Sequence, residues 1–351
     1  MKKFPWRAAL GFALSAALLI WVLRDVKPHE VWEVLRRSNP WLFFAAIVAG
    51  TAIFPLRARR WRAILDPIVP NLPLGPLWRS TAIGMMVNNV VPARAGEFAR
   101  AYALTREVPA VPFAASFASL AVDRLFDVLV VFGLMFLSML DPAFPEDARI
   151  GTQPVANWAG GGVFVIAVLL GALYAVAVFP ARLITWYSAF AKRTIPRFET
   201  RGRDLLQAFA AGLSVLRSPR RFAEVLFWTT LHWLLNAFAF WLAFRAVGIT
   251  TPFSGALFLQ AVIAIGVAVP SSPGFFGVFE KGAQLGLALY GVPATLAVSW
   301  AIGFHILSFI PITVIGAFYA ARLGLRLREI KTSASASTGL DAPVAAPSEG
   351  A

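Results

Sequence analysis

Cysteine is absent from the chain, which excludes a disulfide framework, a thiolate nucleophile and any cysteine-ligated metal centre. Histidine occurs only three times, which argues against a histidine-based metal site. No glycine-rich loop of the ATPase kind is present, so no nucleotide-driven step is legible. Charge is scarce too: 14% of the 351 residues are charged and 58% are hydrophobic, whereas soluble domains run at about 25% and 45–50%. The scarcity is uneven. Ser38 to Leu56, Ile150 to Ala181, Val225 to Phe244, Ala246 to Phe279 and Gly282 to Ala321 carry no charged side chain at all. A bilayer core of about 30 Å takes about 20 apolar residues as helix, so the shorter stretches fit one crossing and the last two must turn.

What charge there is has one dominant sign. The net charge of +14 invites a polyanion-binding reading, but cytoplasmic loops of membrane proteins carry an excess of Lys and Arg, and the basic residues here alternate in that manner. No nucleic-acid partner is expected. An uncleaved first span over Ala8 to Leu23 starts in the cytoplasm, and Pro40 to Leu56 returns to the cluster Arg57, Arg59, Arg60 and Arg62. A long span, Val111 to Leu140, leads out to an acidic loop with Asp141, Glu146 and Asp147, and Val155 to Phe179 leads back. The basic segment 180–221 is cytoplasmic, with a short amphipathic helix around Asp204 to Arg217. Phe222 to Phe244 goes out and Val292 to Ala320 returns. Residues 1–331 thus form one membrane domain, and 332–351, rich in Ser, Ala, Gly and Pro, a disordered cytoplasmic tail.

Two segments do not fit as simple spans. Between Arg79 and Arg94 the uncharged run reaches only about 21 Å as helix, so Leu74 to Arg106 is expected to be a re-entrant hairpin entering from the cytoplasm. Pro252 to Gly291 is broken at Pro270-Ser271-Ser272-Pro273-Gly274 and is expected to enter from the opposite face. Broken hairpins from opposite faces are how inverted-repeat transporters build a midplane site. The fold class is therefore all-α and polytopic, with about six full transmembrane helices, two broken or re-entrant hairpins and an inverted repeat as hypothesis.

Three constellations carry chemistry. In the first, Asn88 and Asn89 precede Pro92, Arg94, Glu97 and Arg100; a helix restarted after proline presents free N–H groups and a positive dipole end, which suits anions. Arg94 and Arg100 add guanidinium groups, and Glu97, one turn from both, is placed to hold them. The plainer reading is that the arginines reach lipid headgroups while the asparagines cap. In the second, Asp123 and Asp127 share a helix face and Arg124 lies about 100° round. Each charge costs about 2.5–3.5 kcal/mol at a helix centre, so this group either locks the hairpin by pairing with Arg94 or Arg100, or lines a pathway. In the third, Ser271 or Ser272 is placed to cap a helix starting near Pro273, with Glu280 and Lys281 in its first turns; its plainer reading is a kinked span. His232 and His305 read as packing or hydrogen-bonding residues rather than ligands.

In this order, Arg59-Arg60-Trp61, the Asn88 to Arg100 stretch, Asp123-Arg124 with Asp127, and Pro270 to Glu280 resemble the lysylphosphatidylglycerol synthase transmembrane family, also called flippase-like membrane proteins. The resemblance covers about residues 8 to 325. It implies movement of a lipid between leaflets of the plasma (inner) membrane or an accessory role in lipid synthesis, while the count of basic residues places both termini in the cytoplasm; no cofactor and no catalysis are expected. Membrane lipids are the partners it implies, together with a lipid-biosynthesis enzyme where the chain serves as a scaffold. The substrate-binding set on this reading is Asn88, Asn89, Arg94, Glu97, Arg100, Asp123, Arg124, Asp127, Ser271, Ser272 and Glu280. An intramembrane transferase or hydrolase using Asp123 or Glu97 as general base and a non-catalytic scaffold stand as the alternatives.

Overall fold

Where a polar loop gives way to an apolar run, a capping side chain and a proline start the helix. Asn39 Oδ1 accepts from the N–H groups of Trp41 and Leu42 at 3.0 and 3.2 Å, with Pro40 in the first turn. Ser218 does the same before Pro219. Both devices satisfy N–H groups that no earlier turn can bind.

The computed structural model describes residues 6–24, 26–91, 95–145, 149–150, 153–154, 164, 167–168, 171, 178–196, 199–213, 218–268 and 273–325. Among them are α1 (Trp6–Arg24), α2 (Pro28–Arg37), α3 (Pro40–Leu65), α4 (Leu74–Val90), α5 (Gly96–Glu107) and α6 (Phe113–Met139). Then follow α7 (Pro180–Thr194), α8 (Glu199–Gly212), α9 (Pro219–Ala246), α10 (Phe253–Ala268), α11 (Val278–Ala288) and α12 (Ala294–Arg322). A two-residue antiparallel ladder, Arg149–Ile150 with Gln153–Pro154, is the minor exception to an all-helical fold. By length and composition α3, α9 and α12 can each cross a membrane. α6 is as long, but every stretch of it long enough to span holds Asp123, Arg124 and Asp127.

The chain is a polytopic membrane protein turned inside out relative to a soluble one. Trp41 (78% exposed), Phe44, Val314 and Phe318 face outward on the long helices, while Arg60, Asp123 and Glu280 are buried. Lipid offers no drive for apolar surfaces to meet, so close packing of small residues has to join the helices. Ala46 and Gly50 on α3 meet Ala239 and Ala243 on α9 at this four-residue spacing, and α3 with α9 makes the most extensive helix pair. Beside it the rings of Phe240, Phe279, Trp300 and Phe304 stack at centroid distances of 5.1–6.5 Å.

The elements repeat. A long helix, a two-helix hairpin and a second long helix occur as α3, α4–α5, α6 and again as α9, α10–α11, α12. The exchange between halves is reciprocal: α4 packs on α12 and α10 packs on α6. With the helix ends as guide, the two sequences align at one constant offset. Pro92 falls on Pro273, Gly96 on Gly277, Phe98 on Phe279, Arg100 on Lys281, Leu104 on Leu285, Val111-Pro112 on Val292-Pro293 and Arg124 on His305.

Two expectations need correction. The segment expected in the cytoplasm holds two helices, α7 and α8, packed on each other, and α8 starts earlier than Asp204, at Glu199, which pairs with Arg203 one turn on. The second span does not end at Leu56: α3 continues to Leu65 because Arg57 and Arg60 are buried against other helices. Most of the span expected at Val155 to Phe179, and the tail 332–351, lie outside the described residues.

Candidate functional site: a buried charge cluster and two meeting hairpins

The i, i+4 spacing on α6 turns Asp123 and Asp127 inward together, and one guanidinium fork spans them. Arg60 Nη2 lies 2.6 Å from Asp123 Oδ1 and Arg60 Nη1 2.5 Å from Asp127 Oδ1. Arg100 on α5 donates to Asp123 Oδ2 at 3.2 Å and lies over the Trp61 ring, its Cζ 4.0 Å from the centroid. Trp61 Nε1 donates in turn to Ser119 Oγ at 2.8 Å. Arg124 donates to Asp127 Oδ2 at 3.1 Å and to Glu97 Oε1 at 2.5 Å. From α9, Trp233 Nε1 adds a bond to Asp127 Oδ1 at 2.9 Å. Three helices of the first half and one of the second are tied at this point by charge-assisted bonds, the strong kind.

Among the described residues the charges of the cluster do not cancel. Arg57, Arg60, Arg100 and Arg124 face Glu97, Asp123 and Asp127. Arg57 is 8% exposed and within electrostatic reach of Arg124, Asp127, Arg100 and Asp123, yet its Nη1 bonds only to Met85 Sδ at 3.5 Å and its Nε has no partner among the described residues. A buried guanidinium without a carboxylate is costly unless something anionic completes it.

The hairpin breaks are closed by the protein itself. Asn88 Oδ1 accepts from the Gly96 N–H at 2.8 Å, capping α5 from across the break. A Cβ at Gly96 would run into the Gly84 carbonyl and the Asn88 side chain, so only glycine allows this approach of α4 and α5. Gly277, at φ +85°, starts α11, and its N–H donates to Glu280 Oε2 at 2.6 Å. At the tip between α10 and α11, Gly274 (φ +67°) and Phe275 (φ +62°) both take left-handed conformations, a strained choice for phenylalanine.

One helix holds both tips. Asn89 Nδ2 donates to Thr313 Oγ1 at 2.7 Å, and two turns away His305 bonds Glu280 Oε1 through Nδ1 and the Gly274 carbonyl through Nε2, each at 2.7 Å. α4 also packs against the Pro273–Phe275 turn. The two broken hairpins therefore touch along α12, and Pro311 interrupts that helix between the two attachment points.

A model of the lysylphosphatidylglycerol synthase TM region matches residues 8–316 of this sequence. The chain belongs to that family. A UPF0104 membrane protein of Methanothermobacter thermautotrophicus is 27% identical over 85% of this chain and 88% of its own length. Another from that organism is 23% identical over 92% and 93%. The glycosyltransferase AglD of Haloferax volcanii is 34% identical over 45% of this chain, which spans only 25% of that protein.

Within this lysylphosphatidylglycerol synthase TM-region fold the sequence-derived residues divide. Glu97, Arg100, Asp123, Arg124 and Asp127 come together in one cluster; Asn88 and Asn89 sit at the first tip, and Glu280 at the second. Arg94, Ser271 and Ser272 lie outside the described residues. Three local expectations are corrected. Glu97 holds Arg124 rather than Arg100, because α6 brings Arg124 across while Arg100 turns to Asp123. One N–H at each helix start, that of Gly96 on α5 and that of Gly277 ahead of α11, is taken by Asn88 and Glu280 respectively rather than left free. A single 3-10 turn does start at Pro273, but the α-helix of the second hairpin begins at Val278, and Gly277 with Glu280, rather than Ser271 or Ser272, caps it. Sequence reasoning missed Arg57 and Arg60, placed among solvated loop charges; His305 is the hydrogen-bonding residue it was read as, though its partners were not foreseen. The signal for the arginines was that α6 carried more acid than its own Arg124 could pair.

Proposed function

We propose that the protein moves a lipid with an anionic head between leaflets of the plasma membrane, with both termini in the cytoplasm. The observation that carries this reading is the meeting of the two broken hairpins on α12, next to a buried cluster with one guanidinium to spare. Arg57 is the residue assigned to the anionic head. Arg60, Arg100, Asp123 and Asp127 hold the frame, and Arg124 with Glu97, the most open pair of the cluster, forms its mouth. A phosphodiester carries one negative charge and matches the single excess positive charge. The mechanism involves binding and passage and no bond chemistry, and the similarity to part of a glycosyltransferase supports a head that carries an amino-acyl or glycosyl group on that phosphate.

The test is leaflet-resolved movement of a labelled anionic phospholipid in proteoliposomes. Arg57→Gln is expected to slow it about tenfold or more, the equivalent of a charge-assisted contact of about 1.5–3 kcal/mol. Movement at the wild-type rate in that variant would remove Arg57 from the path, and no movement with the wild-type protein would end the translocation reading.

A further inference from the structure

The second hairpin holds an ionisable pair that the lipid path above does not use. His305 reaches Glu280 Oε1 with Nδ1 and the Gly274 carbonyl oxygen with Nε2, both at 2.7 Å. A carbonyl only accepts, so Nε2 carries a hydrogen. A hydrogen bond at Nδ1 then requires a second proton, on the ring nitrogen or on the carboxyl. The pair as folded holds both. Loss of the shared proton leaves one ring nitrogen with its lone pair facing an oxygen at hydrogen-bond distance, the Glu280 carboxylate in one tautomer or the Gly274 carbonyl in the other, so one of the two contacts that tie the second hairpin to α12 must give.

The repeat sharpens the point. His305 occupies in the second half the place that Arg124 occupies in the first, and each pairs with a glutamate in the first turn of the second hairpin helix, Glu280 and Glu97 respectively. A guanidinium keeps its charge across the physiological range, whereas an imidazole changes it there. One half thus has a fixed link and the other a link that a single proton makes or breaks.

Lys281 on α11 itself donates to Gln284 Oε1 at 2.8 Å and lies over the Trp21 ring of α1. Phe276 stacks on the imidazole and Phe279 packs beside it. Arg24 ends α1, α10 has no ionisable residue, and the Arg79 of α4 is bound to Glu107 at the far end of its helix. On α12, Tyr319 and Arg322 lie more than three turns beyond His305. On α9, which meets Phe279 through Phe240, the buried His232 faces Asp127 of the other cluster, and Arg245 at its end bonds the carbonyls of Ile249 and Thr251.

We propose that Glu280 and His305 form a proton site that releases one proton to water on one face of the membrane when the second hairpin leaves α12 and takes one up from the other face before it returns, so that a pH gradient drives lipid movement. The proposal rests on the translocation reading. It is tested in proteoliposomes of phosphatidylcholine with labelled phosphatidylglycerol, under a pH step of either sign. For one proton per lipid, a one-unit step shifts the leaflet ratio up to about tenfold; a gradient of one sign is expected to favour one leaflet in wild type, and His305→Gln to abolish the response. Equal movement of lipid with and without a gradient overturns the proton site and leaves translocation standing; no movement under any gradient overturns both. Ring-nitrogen NMR of the histidine-labelled wild type, with only three histidines, gives a readout that needs no variant. The His305 ring-nitrogen signals are expected to change when the pH of the medium is changed, and an unchanging signal overturns the proposal.

Discussion

Arg57 and Arg60 sit on the same helix, less than one turn apart, and are expected to respond in opposite ways to removal. Arg60→Ala leaves Asp123 and Asp127 buried without their shared partner, a loss of about 3–5 kcal/mol. Arg57→Gln removes a cation that has no carboxylate and should change stability by less than about 1 kcal/mol while lipid movement falls. Thermal unfolding of the two variants in detergent separates them, and equal melting temperatures would mean that the ion pairs hold no structure. The acidic side of this cluster was legible in the sequence, because carboxylates in an apolar run demand partners. Its basic side was not. Arg57 and Arg60 follow the apolar run of α3 directly and look like any cytoplasmic charge cluster, and only the position of α6 in space turns them inward. The partners of His305 were illegible for the same reason: Glu280 and Gly274 lie in another helix and a turn, beyond the reach of local spacing.

At the scale of elements, charge-free run lengths were enough to mark both hairpins and the long helices, because span length is set by the bilayer and breaks by proline. What those runs could not give is how each break is closed, since caps from across a break depend on tertiary approach. Asn88→Ala removes the cap on Gly96 and is expected to cost about 1 kcal/mol. Gly96→Ala forces a methyl against the Gly84 carbonyl, with an expected cost of about 1–3 kcal/mol. Melting midpoints should fall in that order. If hairpin movement on α12 carries the lipid, tying the tip should stop it. The chain has no cysteine of its own, so Asn89→Cys combined with Thr313→Cys gives a clean pair at a site where the native side chains are hydrogen-bonded. Oxidation is expected to halt transbilayer movement and reduction to restore it; undiminished movement in the oxidised protein would place the moving part elsewhere.

For the molecule as a whole, the constant offset that sets Gly96 on Gly277 and Arg124 on His305 makes a claim about orientation. Each half has a long helix, a hairpin and a long helix, and an odd number of full crossings separates the starts of the two halves when α3, α6 and the expected span before α7 are counted. Two similar halves separated in that way must lie in the membrane upside down relative to each other, and their hairpins must enter from opposite faces. An inverted arrangement of that kind accounts for the reciprocal pairing of α4 with α12 and α10 with α6. The consequence is directly measurable on the cysteine-free chain. Pro70→Cys and Pro109→Cys sit in exposed turns at the base of the first hairpin, and Thr250→Cys at the base of the second. A membrane-impermeant maleimide added to intact cells should label Thr250→Cys alone, and the other two should react only after the membrane is opened. Labelling of all three from one side would break the antiparallel arrangement, because no rotation in the membrane plane could then relate the halves, and the paired Arg124 and His305 would lie at unrelated depths.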